Sequence, residues 1–417
     1  MGLSPEPVQL RSSNRVHDFD LTPHPAAGLP SRIFTSTPCL DSLKKLCSQT
    51  TSQATYPLVS SIIHNVPVYY LPDLSSVHHV LSNPKLLSNL QDEWHHILLS
   101  GPGVLVLKGM FTDCSVISST NDAFEQIVAR ERATSEGKGD HFGTAGTNTR
   151  IWNSLQKHCI ADPESFVQYY SNPWLAAICE AWLGPAFRVT AQANIVHPGG
   201  KAQTSHRDYH LGFQSAEVTN RFPKAIQVAS QFLTLQGAVA HSNMPAASGP
   251  TRFLPFSQMF EEGFLAYRLP EFQNWFEQRW VALDLEIGDA VFFNPALFHA
   301  AGENKMADFD RKANLLQISS AFGKTMENLD TFNMISACWE ELIKKFESEG
   351  QGEGIECLVK ALAEGYPFPT NLDRRVPGPG GMAPSSEQDL VKHGLHEHWA
   401  KEHILEELRI LRMESAA

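Results

Sequence analysis

The feature that most constrains the fold of this chain is a series of short apolar runs, rich in β-branched and aromatic residues, between about positions 187 and 322. Turn residues, mainly Gly and Pro, separate the runs. Many short strands joined by such turns are typical of a sandwich or a jelly-roll barrel. We predict strands at 187–190, 227–235, 281–285, 291–293 and 315–318.

Helical patterns flank this β region on both sides. Before it, short strands are predicted at 66–71 and 104–109, and apolar residues recur at helical spacing over 86–99, 122–132 and 169–183. After it, helices are predicted at 326–347 and 355–362, with one amphipathic helix at 386–413. This order predicts an α+β fold whose β core is wrapped by its own ends.

We expect the chain to divide into three parts. Residues 1–55 are rich in Ser, Pro and Thr with little periodicity, which predicts an irregular extension. Residues 56–325 hold the β core together with the helices that precede it. Residues 326–417 form a helical extension that packs on the same domain.

The charge balance argues against nucleic acid as a partner. The chain has 45 acidic residues against 33 Lys and Arg residues, a net charge of -12, which repels a phosphate backbone. No apolar run is long enough to span a bilayer, and the amino terminus has no secretion signal. Glu6 stands where a myristoylation signal requires Ser or Thr. We therefore expect a cytoplasmic protein, whose oligomeric state does not follow from the sequence.

The seven cysteines are odd in number and widely spaced. They contain no CxxC pair that would indicate a zinc site or a redox motif. Some, such as Cys179 and Cys338, lie in apolar surroundings, and we interpret them as buried free thiols.

A His-x-Asp pair, His206 and Asp208, lies in the stretch 205–210. On an extended segment such a pair can give a mononuclear iron site two of its three protein ligands. About one such pair is expected by chance in a chain of this composition, so the pair alone is weak evidence. A solvent-exposed strand end is the alternative interpretation.

A distant histidine can supply the third ligand. His299 follows the predicted strand at 291–293, just after a bend at 294–295. In a jelly roll, strand ends from opposite edges meet at the mouth of the barrel, so His299 can share a metal with His206. A histidine buried in the core without a ligand is the alternative interpretation.

Arg311 precedes the predicted strand at 315–318. Inside a barrel a guanidinium is costly unless a carboxylate pairs with it. A dicarboxylate cosubstrate can supply that group by chelating iron at one end and binding the arginine fork at the other. A surface arginine in the charged run 308–312 is the alternative interpretation.

Taken together, these segments resemble the phytanoyl-CoA dioxygenase family of iron(II)- and 2-oxoglutarate-dependent oxygenases. The resemblance covers about residues 100–325 and rests on His206-Arg207-Asp208, the Gly-Pro-Thr-Arg-Phe-Leu-Pro turn at 249–255, the stretch 288–299 and Arg311. It implies a double-stranded β-helix, the cupin-like jelly roll, flanked by N- and C-terminal helices.

The resemblance also implies roles for individual residues. It implies Fe(II) ligands at His206, Asp208 and His299. It implies contacts to 2-oxoglutarate from Arg311, Gln203 and Thr251, and a cosubstrate or substrate contact from Arg150. The chain departs from the family pattern at 256–258, where many relatives have Gly-Ser-His, and at Ala301, where some have Ser.

The implied reaction couples O2-dependent decarboxylation of 2-oxoglutarate, which yields succinate and CO2, to oxidation of a small-molecule substrate. Iron halogenases of this general type replace the carboxylate ligand with a small residue. Asp208 is present, so hydroxylation, desaturation or another oxidation is favoured over halogenation. We expect hydroxylation of a small, lipophilic organic molecule. We expect loops near 137–153 and 210–222 to set the specificity, which a single sequence does not disclose.

Two other functions are compatible with these residues. A non-catalytic barrel that acts as an interaction module would expose an apolar surface on its last helix, formed by Leu390, Leu395, Trp399 and Leu405. A metal-binding cupin that does not bind 2-oxo acids is the second, and in such a protein Arg311 would have no carboxylate ligand.

Overall fold

The computed structural model describes residues 29–76, 79–134 and 147–416. The amino-terminal stretch 1–28 and the first part, 137–146, of the specificity loop predicted near 137–153 lie outside the described residues. The strands are β1 (Ser61–Ile63), β2 (Val66–Tyr70), β3 (Val104–Lys108), β4 (Asn148–Ile151), β5 (Arg188–Val196), β6 (Thr234–Ala240), β7 (Thr251–Phe253), β8 (Ala290–Phe293), β9 (His299–Ala301) and β10 (Arg311–Ser319). The helices are α1 (Leu40–Cys47), α2 (Leu71–Ser76), α3 (Pro84–Leu99), α4 (Cys114–Ala133), α5 (Ser154–Ala161), α6 (Pro163–Tyr170), α7 (Pro173–Leu183), α8 (Ala216–Thr219), α9 (Lys224–Ser230), α10 (Gly263–Ala266), α11 (Pro270–Arg279), α12 (Thr331–Glu349), α13 (Glu353–Leu362), α14 (Glu387–His396) and α15 (Lys401–Ser415).

Eight strands form one sheet in the order β1, β2, β3, β8, β6, β10, β5, β4. Neighbouring strands are antiparallel except β2 and β3, which are parallel. Strands β7 and β9 form a separate antiparallel pair. The predicted α+β class is confirmed, as a mixed, largely antiparallel sheet combined with helices.

Successive side chains of the central strands point to opposite faces of the sheet, so one face packs against the hydrophobic core and the other faces a cavity. On β10, Leu316 and Ile318 pack in the core, whereas Leu315 and Gln317 line the cavity. Strands β5 and β6 alternate in the same way. Helices α3, α7, α12 and α13 contribute side chains to the same core. The inner face of the central strands therefore contributes both polar and apolar side chains to the cavity wall.

The strand predicted at 227–235 is wrong over most of its length. Residues Lys224–Ser230 form helix α9, and the strand begins at Thr234. The Gln227 amide donates to the backbone oxygens of Thr219 and Phe222 in the preceding turn. These local bonds favour a helical turn over an extended chain.

The strand predicted at 281–285 is also wrong, because this segment forms only isolated bridges. Val281 pairs with Phe253, and Leu285 pairs with Met244. The two partners lie on different segments, so no continuous ladder forms. The predicted strands at 66–71, 104–109, 291–293 and 315–318 match β2, β3, β8 and β10, and 187–190 is the start of the longer β5.

Two predicted helices are each divided in two. The helix predicted at 169–183 breaks between α6 and α7, because Pro173 has no N–H to continue the first helix. Asn172 caps the second helix, with its Oδ1 accepting a bond from the Trp174 N–H at 3.0 Å. The helix predicted at 386–413 divides into α14 and α15 around His398, whose φ is 50°.

Part of the predicted irregular extension is helical. In helix α1, Leu43 is fully buried in a cluster with Leu254, Phe272 and Phe276. Tertiary packing of this face stabilises a helix that is too short to form in isolation. The low periodicity of 1–55 as a whole therefore concealed eight helical residues.

The last two helices pack their apolar side chains inward. Leu395 is 1% exposed, and Leu390, Trp399 and Leu405 pack against the main core. These residues do not present the surface that an interaction module would need. The alternative of a non-catalytic barrel is not favoured.

All seven cysteines are free. Four of them are buried, at Cys159, Cys179, Cys338 and Cys357, as the interpretation of buried thiols requires. Among the described residues, no helix combines the length and the apolar character needed to cross a membrane.

Two histidines away from the cavity are buried in a polar network. The Nε2 atom of His158 lies 2.7 Å from the Ser165 hydroxyl, and His241 lies between the Tyr169 hydroxyl and Asn121 Oδ1, at 3.0 and 2.8 Å. Burial lowers the pKa of His158 to about 4. Burial and nearby positive groups lower the pKa of His241 to about 3. Both imidazoles are therefore neutral in the folded protein at neutral pH.

We expect this pair to make the fold sensitive to acid. Folding lowers the pKa of both histidines, so protonation favours the unfolded chain. The two neutral histidines contribute fully to the free energy of unfolding when the pH is above about 6.5, the histidine pKa in the unfolded chain. This contribution is lost as the pH falls toward the pKa values in the folded protein. At pH 5 each histidine should have removed about 2 kcal/mol from the free energy of unfolding. Urea unfolding at pH 7.5 and 5.0 measures this loss.

The matched variant for this prediction is His241→Gln, which cannot take up the proton. Other titrating groups act alike in the variant and in the native protein, so the difference between their pH profiles isolates His241. The variant should lose about 2 kcal/mol less than the native protein between the two pH values. Identical pH profiles would contradict the prediction.

Candidate metal centre and its cavity

His206, Asp208 and His299 lie together although their segments are far apart in the sequence. His206 and His299 exchange two backbone hydrogen bonds, with N to O distances of 2.9 and 3.1 Å. The Nε2 atoms of His206 and His299 lie 3.8 and 3.5 Å from the Asp208 carboxylate oxygens. All three candidate ligand atoms lie within 4.8 Å of one another.

Both imidazoles are held in one tautomer by backbone oxygens. The Nδ1 atom of His206 lies 2.9 Å from Thr204 O, and that of His299 lies 2.8 Å from Leu297 O. A carbonyl oxygen only accepts, so each Nδ1 carries the proton and each Nε2 keeps a free lone pair. Burial lowers the pKa of His206, which also favours the neutral ring. Such a tautomer can bind a metal through Nε2.

Asp208 is held as a carboxylate. Burial raises its pKa, but His206, His299 and the Gln236 amide offset this effect, and the net pKa lies below the usual range. The Gln236 Nε2 donates to Asp208 Oδ2 at 2.6 Å. Two neutral imidazoles and one carboxylate are the donor set of mononuclear non-haem Fe(II) sites.

Arg207, between the two candidate ligands in the sequence, is fully buried. Its Nη2 donates to the backbone oxygens of Ser257 and Phe260 at 2.6 and 2.8 Å, and its guanidinium lies 5.1 Å from the Phe298 ring centre. Gly263 leaves room for it, because a Cβ there would lie 1.9 Å from the guanidinium carbon. Arg207 thereby ties the His-x-Asp segment to the turn at 257–260 and packs against Phe298, which directly precedes β9.

The three candidate ligands lie on the wall of a cavity of about 760 Å³, within the size range of small-molecule sites. The inner faces of β5, β6 and β10 supply polar side chains to this wall, at Gln192, Asn194, Gln236, Arg311 and Gln317. Apolar side chains also line it, at Phe213, Phe293, Leu315 and Met326.

Arg311, the first residue of β10, is 6% exposed and lines this cavity. The Arg311 Nη1 donates a long hydrogen bond, 3.4 Å, to Ser248 O. Among the described residues, no carboxylate forms an ion pair with Arg311. Burial lowers its pKa to about 10, so it stays charged at neutral pH. The alternative of a surface arginine is therefore wrong, and a buried guanidinium that faces a cavity fits a carboxylate ligand.

The other predicted site residues line the same cavity, at Gln203, Thr251 and Arg150. Gln203 is paired with β9, because its backbone N–H donates to Ala301 O at 3.0 Å and its Oε1 accepts from the Ala301 N–H at 3.1 Å. The Arg150 Nη1 donates to Gln192 Oε1 at 2.9 Å. The structure thus brings all the predicted site residues to one cavity.

Sequence reasoning missed Gln236 and Gln317. Gln236 is a single amide within an otherwise apolar run, 235–240, and that isolation was the available signal. Its partner Asp208 is remote in the sequence, so the hydrogen bond between them could not be anticipated.

A comparison with protein families matches residues 100–313 to the model of phytanoyl-CoA dioxygenase (PhyH). The chain belongs to the phytanoyl-CoA dioxygenase family. The match spans the His-x-Asp pair, His299 and Arg311. This protein is therefore an Fe(II)- and 2-oxoglutarate-dependent dioxygenase, and its cofactors are Fe(II) and 2-oxoglutarate.

Curated relatives that are similar to this family member include three proteins named dioxygenases. Dioxygenase andF of Emericella variicolor is 27% identical over 221 residues, which cover 51% of this chain and 69% of that protein. Dioxygenase cdmA of Talaromyces verruculosus is 26% identical over 240 residues, 55% of this chain and 73% of that protein. Dioxygenase cdmD of the same organism is 30% identical over 162 residues, 38% of this chain and 48% of that protein.

Similar solved structures are non-haem α-ketoglutarate-dependent and 2-oxoglutarate-bound proteins. The carbocyclase SnoK from nogalamycin biosynthesis is 18% identical with a TM-score of 0.43, over 56% of this chain and 86% of that chain. HygX from Streptomyces hygroscopicus, solved with nickel and 2-oxoglutarate bound, is 14% identical with a TM-score of 0.36, over 57% of this chain and 90% of that chain.

Proposed function

We propose that this dioxygenase hydroxylates a small, lipophilic organic molecule in the cavity beside His206, Asp208 and His299. The observation that carries the proposal is the convergence of these three groups and Arg311 on one cavity of about 760 Å³. Two imidazoles and one carboxylate on one side of a metal leave positions open for a 2-oxo acid and O2.

Each predicted residue has a role in this proposal. We assign iron ligation to His206, Asp208 and His299. We assign the distal carboxylate of 2-oxoglutarate to Arg311, and further cosubstrate contacts to Gln203 and Thr251. Arg150 contacts the cosubstrate or the substrate. The free Nε2 lone pairs, the ionised carboxylate and the absence of a protein carboxylate at Arg311 among the described residues support these roles.

When bound, iron and 2-oxoglutarate supply a C–H oxidation in which O2 gives one oxygen atom to succinate and the other to the substrate, with release of CO2. The chain's own residues prepare the site for it. Gln236 holds the Asp208 carboxylate in one orientation. Arg207 fixes the backbone that carries both ligands of the His-x-Asp pair. Because Asp208 itself would supply the third protein ligand, no ligand position is freed for a halide, and hydroxylation is expected rather than halogenation.

Apolar side chains support the lipophilic character of the substrate. Phe293 lies beside the candidate ligands, with its ring centre 4.7 Å from that of His299. Phe213 lines the cavity and is 50% exposed, so it offers an apolar surface to an entering molecule. We propose that the hydrocarbon part of the substrate packs against Phe293, so that one of its C–H bonds lies close to the metal bound by His206, Asp208 and His299.

We also propose that the large sheet and the β7–β9 pair form a double-stranded β-helix. The support is that side chains from both, including Val291 and Phe293 of the large sheet and Phe253 of β7, pack in one cluster. Within this proposal, residues 56–325 form the oxygenase domain, 1–55 an extension before it and 326–417 a helical extension packed on it. The cytoplasmic location and the lack of nucleic-acid binding stay predictions.

The test of the proposed function is iron-dependent formation of succinate from 2-oxoglutarate. The full chain, loaded with Fe(II), should form succinate when supplied with 2-oxoglutarate and O2, and an extract of small lipophilic metabolites should stimulate the rate. Omission of iron is the control. Iron-loaded protein that neither binds 2-oxoglutarate nor forms succinate with any extract would overturn the proposal.

A further inference from the structure

Two glutamines lie side by side on the cavity wall. Gln236 on β6 and Gln317 on β10 are directly opposite each other in the antiparallel ladder. Directly opposite residues share a face of the sheet, with Cβ atoms about 5 Å apart. Both side chains line the cavity, and they are 4% and 8% exposed.

The orientation of the Gln236 amide is fixed by the candidate ligand Asp208. The Gln236 Nε2 lies 2.6 Å from Asp208 Oδ2. Because the amide nitrogen donates to this carboxylate oxygen, the amide oxygen faces away from Asp208. That oxygen is buried and has no hydrogen-bond partner in the part of the chain that the structure describes.

Gln317 presents a second buried oxygen of the same kind. Its Oε1 also has no hydrogen-bond partner among residues 29–76, 79–134 and 147–416. The neighbouring amide, Gln192, differs because its Oε1 accepts from the Arg150 Nη1 at 2.9 Å. The pair Gln236 and Gln317 therefore offers two acceptors for which the described protein provides no donor.

Phe293, Gln236 and Gln317 form a row across the neighbouring strands β8, β6 and β10, and this row begins beside the candidate metal centre. Phe293 on β8 is directly opposite Gln236 on its other side, and its ring contacts His299. Gln236 touches Asp208, and Gln317 lies one strand further, at a spacing of about 4.8 Å. A molecule bound along this row would meet the Phe293 ring beside His299 and two hydrogen-bond acceptors, the one on Gln317 lying one strand beyond the one on Gln236.

We propose that Gln236 and Gln317 bind a hydroxyl or N–H group of the primary substrate, so that the substrate class is a lipophilic alcohol or amine rather than a bare hydrocarbon. This inference rests on the proposed function, because it concerns the substrate of the same site. A site built to bond a donor group discriminates strongly against an analogue that lacks it. The pair would also set which C–H bond lies near the metal.

The experiment uses matched probes, each a cyclic alcohol and its methyl ether, such as menthol and menthyl methyl ether. The ether keeps the ring and the oxygen and removes only the donor. The full chain is loaded with Fe(II) and 2-oxoglutarate without O2, and binding is measured by the change in visible absorption of this complex. We expect at least one alcohol to bind about tenfold more tightly than its ether, as one hydrogen bond permits.

Three variants sharpen the test. Gln317→Leu should remove the preference for the alcohol, whereas Gln317→Glu, which keeps acceptor oxygens and loses the donor, should retain it. Gln351→Leu, the same change at an exposed position, should behave as the native protein. The 2-oxoglutarate absorption and the melting temperature of Gln317→Leu show whether its fold and its metal centre are preserved.

The outcomes separate this inference from the proposed function. Absence of any 2-oxoglutarate complex in the iron-loaded native protein would overturn both. A normal complex for which no alcohol binds more tightly than its ether would overturn the inference alone. Loss of the preference in Gln317→Glu as well would show that Gln317 donates rather than accepts, and would also overturn it.

Discussion

Asp208→Ala is expected to abolish iron-dependent turnover of 2-oxoglutarate. Loss of a residue that only supports a metal ligand lowers metal affinity by about 10- to 100-fold, so loss of a ligand itself should exceed about 100-fold. The reason is that Asp208 lies 3.8 and 3.5 Å from the two imidazole Nε2 atoms and supplies the only negative charge of this three-residue set. Iron affinity, measured by competition with a chelator, and succinate formation should fall together.

The matched control is Asp92→Ala, which removes an exposed carboxylate from helix α3. Its iron affinity and succinate formation should equal those of the native protein. The fold of Asp208→Ala should survive, because the Asp208 backbone N–H to Pro295 O bond, 2.9 Å long, does not depend on the side chain. Unchanged iron affinity in folded Asp208→Ala would remove this carboxylate from the metal centre.

The grouping of the three candidate ligands could be predicted because they stand at recognisable places in a β pattern. His206 and Asp208 are two residues apart, and His299 follows directly after an apolar strand. The structure adds the reason for their meeting, which is the pair of backbone bonds between His206 and His299. The ladder partners of a strand are not encoded in its local pattern, so these bonds were beyond sequence reasoning.

The errors in the predicted fold have the same physical origin. Residues 224–230 are apolar enough for a strand, but the hydrogen bonds from the Gln227 side chain to the preceding turn stabilise a helix instead. Helix α1 forms because Leu43 finds a cluster of side chains more than 200 positions later in the chain, including Leu254 and Phe272. In both segments, contacts that the apolar pattern does not specify decide the structure: side-chain bonds to the preceding turn in α9, and a cluster distant in the sequence in α1.

The support of the centre was equally hidden. Nothing in the sequence marks Arg207 as buried, yet its guanidinium lies between the Phe264 and Phe298 rings, at 5.2 and 5.1 Å. Its hydrogen-bond acceptors are backbone oxygens about 50 residues away, so no nearby residue type in the sequence indicates that Arg207 is buried. The sequence therefore predicts the candidate metal ligands better than it predicts the residues that hold them in place.

Arg311→Ala is expected to raise the dissociation constant for 2-oxoglutarate by about 100-fold or more while iron binding stays close to native. Truncating one partner of a buried charge pair costs about 2–5 kcal/mol, because the other charge stays buried without compensation. Arg311 is 6% exposed and has no carboxylate partner in the described residues, so the cosubstrate carboxylate is its natural counter-ion. Titration of the visible absorption of the Fe(II) complex with 2-oxoglutarate measures the constant.

Two further variants show whether the charge or the position matters. Arg311→Lys keeps the charge but loses the planar fork, so its affinity should fall between those of the native protein and Arg311→Ala. Arg188→Ala removes another buried arginine from the same β5–β10 ladder, one that pairs with Glu364 at 3.0 Å. It should destabilise the fold without changing the affinity for 2-oxoglutarate. If Arg311→Ala binds 2-oxoglutarate as the native protein does, the carboxylate must lie instead against another cation of the cavity, and Arg150 is the first to replace.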